Sequence, residues 1–420
     1  MDATTEAGAA PDSTTVAISG GGPAGVMLGL LLARAGVEVV VLEKHADFLR
    51  DFRGDTVHPS TQVVLQQLGL LDEFDALVRG RMSAIDFGTS EGPLVHQELA
   101  EVNRRHPFHT VALAPQWDLL DLLVRHARQY PAFTLLMEAE TTRVVRDRGG
   151  VRGLRYRKDG AEHELRAVLT VDAEGRHSVL RSELPGGIVE LGSPIDVLWF
   201  RIARHEGDPS DLRGVLGRGG AVVAINRRDY WQVALIVAKG SDAAIRAAGL
   251  PAFRERVGGI APWMRDRLDA IGDWDEVKLL SVTIERLREW SAPGILAIGD
   301  AAHTMSPMGG IGINLAVGDA VATANLLGLP LLEAQADPDR FARTLNPALL
   351  DRVQRRREWA TVLTQRIQAF GQDRVLALTL KPSARPLSPP APVRALLRSP
   401  ITRLLPTVFV YGLRPERIAA

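Results

Sequence analysis

The sequence predicts an α/β fold, α+β over the whole chain: a Rossmann-like nucleotide-binding domain, an inserted β-sheet domain and a helical C-terminal extension. Three observations predict it. Near the start, an apolar strand runs into a Gly-rich turn, an apolar helix and a second strand. Near residue 300, another apolar strand ends in glycine and leads to a long Ala-rich helix. Between them, alternating Trp-containing segments break the nucleotide-binding pattern.

The first unit is about 30 residues long, the size of a parallel crossover. Residues 16–19 read as a buried strand, 26–35 as a buried helix ended by Gly36, and 37–42 as a second strand ended by Glu43. Apolar spacing of three and four predicts helices over 61–77 and 117–130. From 133 to 169 short strands alternate with Gly turns. The block 192–280 reads as β-rich, with its clearest strands over 196–202 and 230–237. These readings divide the chain into a disordered tail (1–14), a discontinuous nucleotide-binding domain (15–80, 105–190 and 281–340), a substrate domain (81–104 and 191–280) and a C-terminal helical region with a Pro-rich tail (341–420).

Composition narrows the function. Fifty basic residues balance fifty acidic ones, so no general pull toward nucleic acid or an anionic membrane is expected. There is no cysteine, which excludes thiolate metal sites, cysteine nucleophiles and redox-active cysteine pairs. No His-x-x-x-His or similar ligand spacing occurs, and no metal is expected. The first residues lack the basic start and apolar run of a signal peptide, and no run of about 18 apolar residues suggests a membrane span. A cytoplasmic protein is the expectation.

Gly20-x-Gly22-x-x-Gly25 lies between a predicted strand and a predicted helix. The first glycine permits the turn, the second lets backbone N–H groups approach a pyrophosphate, and the third lets helix and sheet pack closely. Pro23 and Ala24 complete the turn, and the helix start adds partial positive charge. Glu43 ends the next strand, where a carboxylate can accept a ribose hydroxyl. A second motif runs Gly299-Asp300-Ala301-Ala302-His303 and then Pro307-Met308-Gly309-Gly310-Ile311-Gly312-Ile313-Asn314. Asp300 can bind a sugar hydroxyl, and the helix entered at Asn314 can hold an anion. His303 reads first as a structural histidine, with a catalytic role as the lesser alternative. A third motif, residues 172–181, contains Glu174-Gly175 and Arg181.

Taken together and in this order, the three motifs resemble the p-hydroxybenzoate hydroxylase-like family of single-component FAD-dependent aromatic monooxygenases, over roughly residues 16–330. The resemblance implies non-covalent FAD, NADPH or NADH as a transient reductant, O2, and a flavin C4a-hydroperoxide that hydroxylates an aromatic or electron-rich small molecule. An FAD-dependent reductase or dehydrogenase of an isoprenoid-like substrate is the alternative on the same motifs. A halogenase would carry Trp-x-Trp-x-Ile, whereas the corresponding stretch is Tyr230-Trp231-Gln232-Val233.

Residue by residue, the resemblance assigns Glu43 to the ribose, and Arg53 to the surroundings of the flavin or the nicotinamide nucleotide. It assigns Gln116 to a cofactor-facing position, Asp300 to the Gly-Asp carboxylate, and Pro307, Gly312, Ile313 and Asn314 to the flavin ring. Glu174 departs from the family's Asp and bears on cofactor preference and the rate of reduction. No nucleophile is needed, because the oxygen chemistry belongs to the flavin. A base for a phenolic substrate could be His58, His106 or His109, each of which also suits a structural role. Substrate contacts are expected from strand faces carrying Trp199 with Arg201, and Tyr230 with Gln232.

In the tail, Arg394, Arg398 and Arg403 alternate with Leu396, Leu397, Leu404, Leu405, Val408 and Phe409, interrupted by Pro400 and Pro406. The broken pattern favours packing against the body over stable membrane association. A monomer or homodimer without nucleic-acid partners is expected.

Overall fold

The computed structural model describes residues 11–49, 56–89, 92–208, 212–227, 229–342, 345–373 and 407–419. Its main sheet has the path Ser291–Ala292, Ile295–Ala297, Ala161–Asp172, Ser13–Ser19, Val39–Leu42, Phe133–Leu136. All neighbours on that path pair in parallel except the first two. The long strand Ala161–Asp172 serves twice. Its second half joins the parallel sheet, and its first half pairs antiparallel with Gly150–Lys158, which in turn pairs with Glu140–Asp147. The strands are apolar runs because both faces are covered: Val16, Ala17, Ile18, Val41, Leu169 and Val171 are each fully buried.

The first strand begins at Ser13, so Ser13 and Thr14, expected in the tail, are strand residues; Ser13 and Thr14 pair with Arg166 and Ala167. The helix Pro23–Arg34 opens with a proline in its first turn, where the missing N–H costs nothing. The single helix expected over 61–77 is two, Pro59–Gln67 and Leu71–Leu77, because Gly69 between them takes φ +74°.

A seven-stranded sheet forms the second layer system. Its order is Lys278–Ser281, Ile195–Ala203, Tyr230–Ala238, Gly220–Asn226, Arg213–Gly217, Ala84–Thr89, Gly92–Glu98, so it unites an early hairpin with the later block. That block is less purely β than its sequence suggested. Helices Asp242–Ala247 and Gly249–Ile260 and a 3-10 stretch Pro262–Ala270 cover one sheet face. Phe253, Val257, Ile260 and Met264 recur at helical spacing and bury against Phe200, Trp231 and Leu235.

The helix Gly312–Ala336 is long and apolar enough to cross a membrane, with mean hydropathy 1.6. Here it is a core helix. It packs against Pro23–Arg34 and the first strand, and it carries the fully buried Asp319. The helix Pro347–Gly371 lies against it. The last described segment, 407–419, packs on the body rather than projecting from it: Val410 and Tyr411 bury with Met82, Leu99 and Val111, and the Tyr411 hydroxyl donates to Leu99 O at 3.0 Å. The tail residues from Arg394 to Leu405 lie outside the described residues.

Candidate active site

The parallel register brings the motifs to one edge. Ser19 is level with Leu42 and with Asp172, and Asp172 with Ala297. The next residue on each strand, Gly20, Glu43, Ala173 and Ile298, therefore stands at the carboxyl edge, where open α/β sheets bind ligands. Backbone bonds carry this stitching past the strand ends: Gly20 N–H to Leu42 O at 2.8 Å, Ala173 N–H to Ser19 O at 2.8 Å, and Ile298 N–H to Asp172 O at 3.0 Å.

The three glycines of the turn have different reasons to be there. Gly20 has φ +108°, and a Cβ on it would lie 2.3 Å from Ala173 O. A Cβ on Gly25 would lie 2.0 Å from Gly20 O. Gly22 faces open space, which leaves its backbone free to meet a phosphate. Glu43 looks back onto the turn, its Oε2 accepting the Gly21 N–H at 3.0 Å. Beyond Glu43 a cleft is lined by Phe48, Trp117, Val124, Leu135 and Met137. Gln116 is the first residue of the helix Gln116–Ala127 that borders it.

The Gly299–Asp300 turn reaches the first turn directly, since a Cβ on Gly299 would stand 3.0 Å from the Cβ of Ala24. Two side chains shape it. Arg181 donates to the carbonyls of Ala301 and Asp300, both at 2.7 Å, and pairs with Glu285 at 2.5 Å. Asp319 accepts the Gly299 N–H at 3.0 Å and the His303 Nε2–H at 2.7 Å, and pairs with Arg357 at 2.8 Å. Burial alone would raise the Asp319 pKa, but His303 and Arg357 outweigh it and hold the carboxyl below its usual range. His303 is thus a structural partner, as its sequence context suggested.

Glu174 is tied down, its two oxygens accepting Ser19 Oγ at 2.7 Å and the Val179 N–H at 2.9 Å. Its neighbour Asp172 is fully buried, and burial with the Glu174 charge pushes it up to about 7 despite its bond from Ser178.

The loop before the helix Gly312–Ala336 is held on one flank by the segment around Pro59. Thr56 Oγ1 donates to Gly310 O at 2.8 Å, and Asn314 Oδ1 accepts from Ser60 and Thr61, each at 2.7 Å. Gly309 and Gly310 both have positive φ, Pro307 O accepts the Gly310 N–H at 3.0 Å, and a Cβ on Gly312 would meet open space. That open start of a 25-residue helix suits an anion or a polarised carbonyl oxygen. The donors and gaps along this edge fit an extended dinucleotide bearing a flavin: a Gly-rich turn, a carboxylate, the Gly299–Asp300 turn and a helix start in sequence.

The candidate bases separate. His58 is buried with Val410 O 3.2 Å from its Nδ1 and Gly310 O 3.1 Å from its Nε2, and burial lowers its pKa to about 4, so the ring is neutral and its single N–H donates to one of the two carbonyls. The His106 ring lies tilted against Tyr411, centroids 4.8 Å apart, and bonds Phe108, and burial lowers its pKa too. The Nδ1 of His109 is buried and finds no hydrogen-bond partner among the described residues. Arg53 lies outside the described residues.

Trp199, Arg201, Tyr230 and Gln232 share the sheet face opposite the helical layer, as the two-residue period requires. Arg201 pairs with Gln232 in register, and its guanidinium lies 5.1 Å from the Tyr230 ring centroid. Gln232 is oriented by the buried Arg227, which donates to its Oε1 at 2.6 and 2.9 Å. The same face also carries the apolar Val197, Val223, Ala234 and Ile236. Sequence reasoning placed Arg181 in the third motif without giving it a role, and missed Asp319, Arg357 and the glutamines of the helix Pro347–Gly371. Their signal was faint: polar residues at helical spacing, aimed inward only once the fold is known.

A sheet edge so equipped defines an FAD-dependent oxidoreductase. Residues 13–343 match the FAD binding domain family, and the chain belongs to the flavin-dependent aromatic monooxygenases, the group A flavoprotein hydroxylases. It is 30% identical to the 6-methylpretetramide 4-monooxygenase of Streptomyces rimosus over 96% of this chain and 94% of that protein. The p-nitrophenol 4-monooxygenase PnpA of Pseudomonas putida superposes with a TM-score of 0.76 at 19% identity, covering 96% of this chain and 100% of that one. The myxobacterial halogenase CndH superposes with a TM-score of 0.74 at 18% identity, covering 97% and 100%. These last two likenesses concern the fold alone, which hydroxylases and halogenases share.

Proposed function

We propose that this FAD-dependent monooxygenase uses NADPH or NADH and O2 to hydroxylate an aromatic or similarly electron-rich small molecule. The observation that carries the reading is the common edge: four strand ends in register present Gly20, Glu43, Glu174 and Gly299–Asp300 in a row that ends at the helix start of Gly312. In this reading Gly20, Gly22, Pro23, Ala24 and Gly25 take the pyrophosphate. Glu43 takes the adenosine ribose and Asp300 a ribityl hydroxyl. Pro307, Gly312, Ile313 and Asn314 border the ring, with Gln116 and Glu174 flanking the cofactor. Bound FAD supplies the reduction of O2 and the transfer of one oxygen atom. The chain binds, orients and excludes water, and the helix start at Gly312 stabilises negative charge on the reduced ring.

Trp199, Arg201, Tyr230 and Gln232 are proposed to meet the substrate. The similarity to a pretetramide-hydroxylating relative across nearly the whole chain makes a pretetramide-like aromatic the first compound to test. The nicotinamide nucleotide binds transiently in the cleft between the domains, with Arg53 as a contributor, since only one Gly-rich fingerprint occurs. The protein works as a monomer or homodimer without stable membrane association, so it should not sediment with anionic vesicles at physiological salt.

The test is substrate-dependent NADPH oxidation with O2 uptake and a product carrying one added oxygen atom. NADPH oxidation with a reduced product and no oxygen incorporation would instead establish the reductase alternative.

A further inference from the structure

The segment from Thr304 to Met308 leads from the short strand His303–Thr304 into the glycine turn before Gly312. It decides where Pro307 stands. Past Thr304 its main chain pairs with no strand among the described residues, yet Ser306 is only 1% exposed. Buried peptide groups need partners, and the helix Pro347–Gly371 with its cap residue Gln372 supplies them.

Gln365, Gln368 and Gln372 are spaced by three and four, so they share one helix face, and all three are 0% exposed. Gln365 Nε2 donates to the carbonyls of Glu285 and Thr304, both at 2.9 Å, while its Oε1 accepts from Arg286 at 3.2 Å. Gln368 Oε1 accepts the Ser306 N–H at 3.1 Å, and its Nε2 donates to Ser306 O at 3.1 Å and Met308 O at 2.8 Å. Gln372 Nε2 donates to Ser306 Oγ, and its Oε1 accepts from Ser193 Oγ at 3.0 Å.

Gln368 therefore spends its acceptor and both donors on the two residues that flank Pro307. A helix that merely docked could use leucine at these positions and avoid burying three amides. What the amides add is direction: apolar contact lets a loop slide, while paired hydrogen bonds to its main chain hold it to a fraction of an ångström.

We infer that Gln365, Gln368 and Gln372 are positioning residues for the flavin-ring loop, and that the C-terminal helix is thereby part of the redox site. The inference rests on the proposed location of the ring at Pro307–Asn314. Gln372 extends the effect, because Ser193 leads into the strand Ile195–Ala203 that carries Trp199 and Arg201. One helix end thus sets both the ring loop and the sheet facing the substrate.

The test uses the full-length holoenzyme. Gln368→Met keeps length and removes the hydrogen bonds. Gln354→Met is the matched control on the same helix, since Gln354 bonds the Trp290 N–H at 2.9 Å and Arg288 O at 2.8 Å, away from the loop. Both variants should lower Tm. Only Gln368→Met should shift the visible absorption of bound FAD and raise the FAD Kd, by about tenfold, as the loss of one well-made bond's worth of energy implies. Equal losses of Tm with wild-type spectrum and FAD Kd in Gln368→Met would overturn the inference. Should Gln368→Met not fold, Ser306→Ala removes the Gln372 acceptor and the Met308 N–H partner more gently, and a wild-type spectrum and Kd there would be equally fatal. Asn314→Ala separates the two layers of the argument. If it shifts the spectrum and Gln368→Met does not, the glutamine role fails alone. If neither does, the ring location fails and the inference with it.

Discussion

Asp319 and His303 meet at 2.7 Å through His303 Nε2–H, with the aspartate 0% and the histidine 1% exposed. The same carboxylate holds the Gly299 N–H and Arg357, so one buried charge ties the Gly299–Asp300 turn to the helix Pro347–Gly371. Asp319→Asn keeps the size but removes the charge that holds Arg357 at 2.8 Å, leaving it only the longer pair to Glu416 at 3.5 Å. Removing one partner of a buried pair costs about 3–5 kcal/mol, and urea unfolding should read a loss of that order. The carboxyl is held below its usual value, so its contribution is present above the ordinary carboxylate range and is lost as pH falls through the lowered folded-state pKa.

His58 predicts an acid sensitivity in a higher window. Its pKa is about 4 in the fold against 6.5 in a free chain. The unfolded chain therefore binds the extra proton between those values, and stability falls as pH drops from 6.5 toward 4, by about 3 kcal/mol at the limit. His58→Gln should flatten that part of the unfolding curve. Asp172 works in the opposite sense: raised to about 7, it favours the fold at low pH and loses that favour as pH rises through 7. An unfolding profile of the His58→Gln protein that still drops steeply between pH 6.5 and 4 would remove His58 as the cause.

Asp300 tests the cofactor edge. Its carbonyl, gripped by Arg181, fixes the turn through the main chain, a bond that a side-chain substitution leaves in place. Asp300→Ala should weaken FAD retention by the worth of a charge-assisted hydrogen bond, about 1.5–3 kcal/mol. That is roughly ten- to hundredfold in Kd, read by fluorescence titration of the flavin-depleted protein. Flavin held as tightly as in wild type would take Asp300 out of the site.

Much of this frame is legible in the sequence because its signals are local. Gly20, Gly22 and Gly25 sit between a strand and a helix, Glu43 ends the next strand, and Asp300 follows a third, so their common edge follows once parallel pairing is granted. Trp199, Arg201, Tyr230 and Gln232 fall on one sheet face for the equally local reason of strand alternation. What stayed hidden is long-range. Gln368 meets Ser306 across 62 positions, and Arg357 meets Asp319 across 38; a glutamine or arginine on a helix carries no mark of which carbonyl or carboxylate it will face. The helical layer over 242–270 was missed because Gly249, Pro251, Gly258, Gly259 and Pro262 break its helical spacing into short pieces.

Gly318 offers a case where helix propensity and packing predict opposite signs. It lies inside the helix Gly312–Ala336, where replacing glycine by alanine ordinarily gains about 1 kcal/mol. A Cβ there would stand 2.7 Å from Arg357 Nη2 and 3.1 Å from its Cζ. A free guanidinium would simply swing away. This one is fastened to Asp319 at 2.8 Å, to Arg414 O at 3.1 Å and to Glu416 at 3.5 Å, with Arg356 pairing the same glutamate at 2.7 Å. Moving it breaks buried charge-assisted bonds, worth about 1.5–3 kcal/mol each, which outweighs the propensity gain. Gly318→Ala should therefore lower stability by roughly 1–2 kcal/mol in chemical denaturation. It should also loosen residues 414–416, seen as faster amide exchange or proteolysis confined to that stretch. A more stable Gly318→Ala protein with unchanged exchange would mean that Arg357 can repack, and that the C-terminal segment is not tied to the Gly299 turn through it.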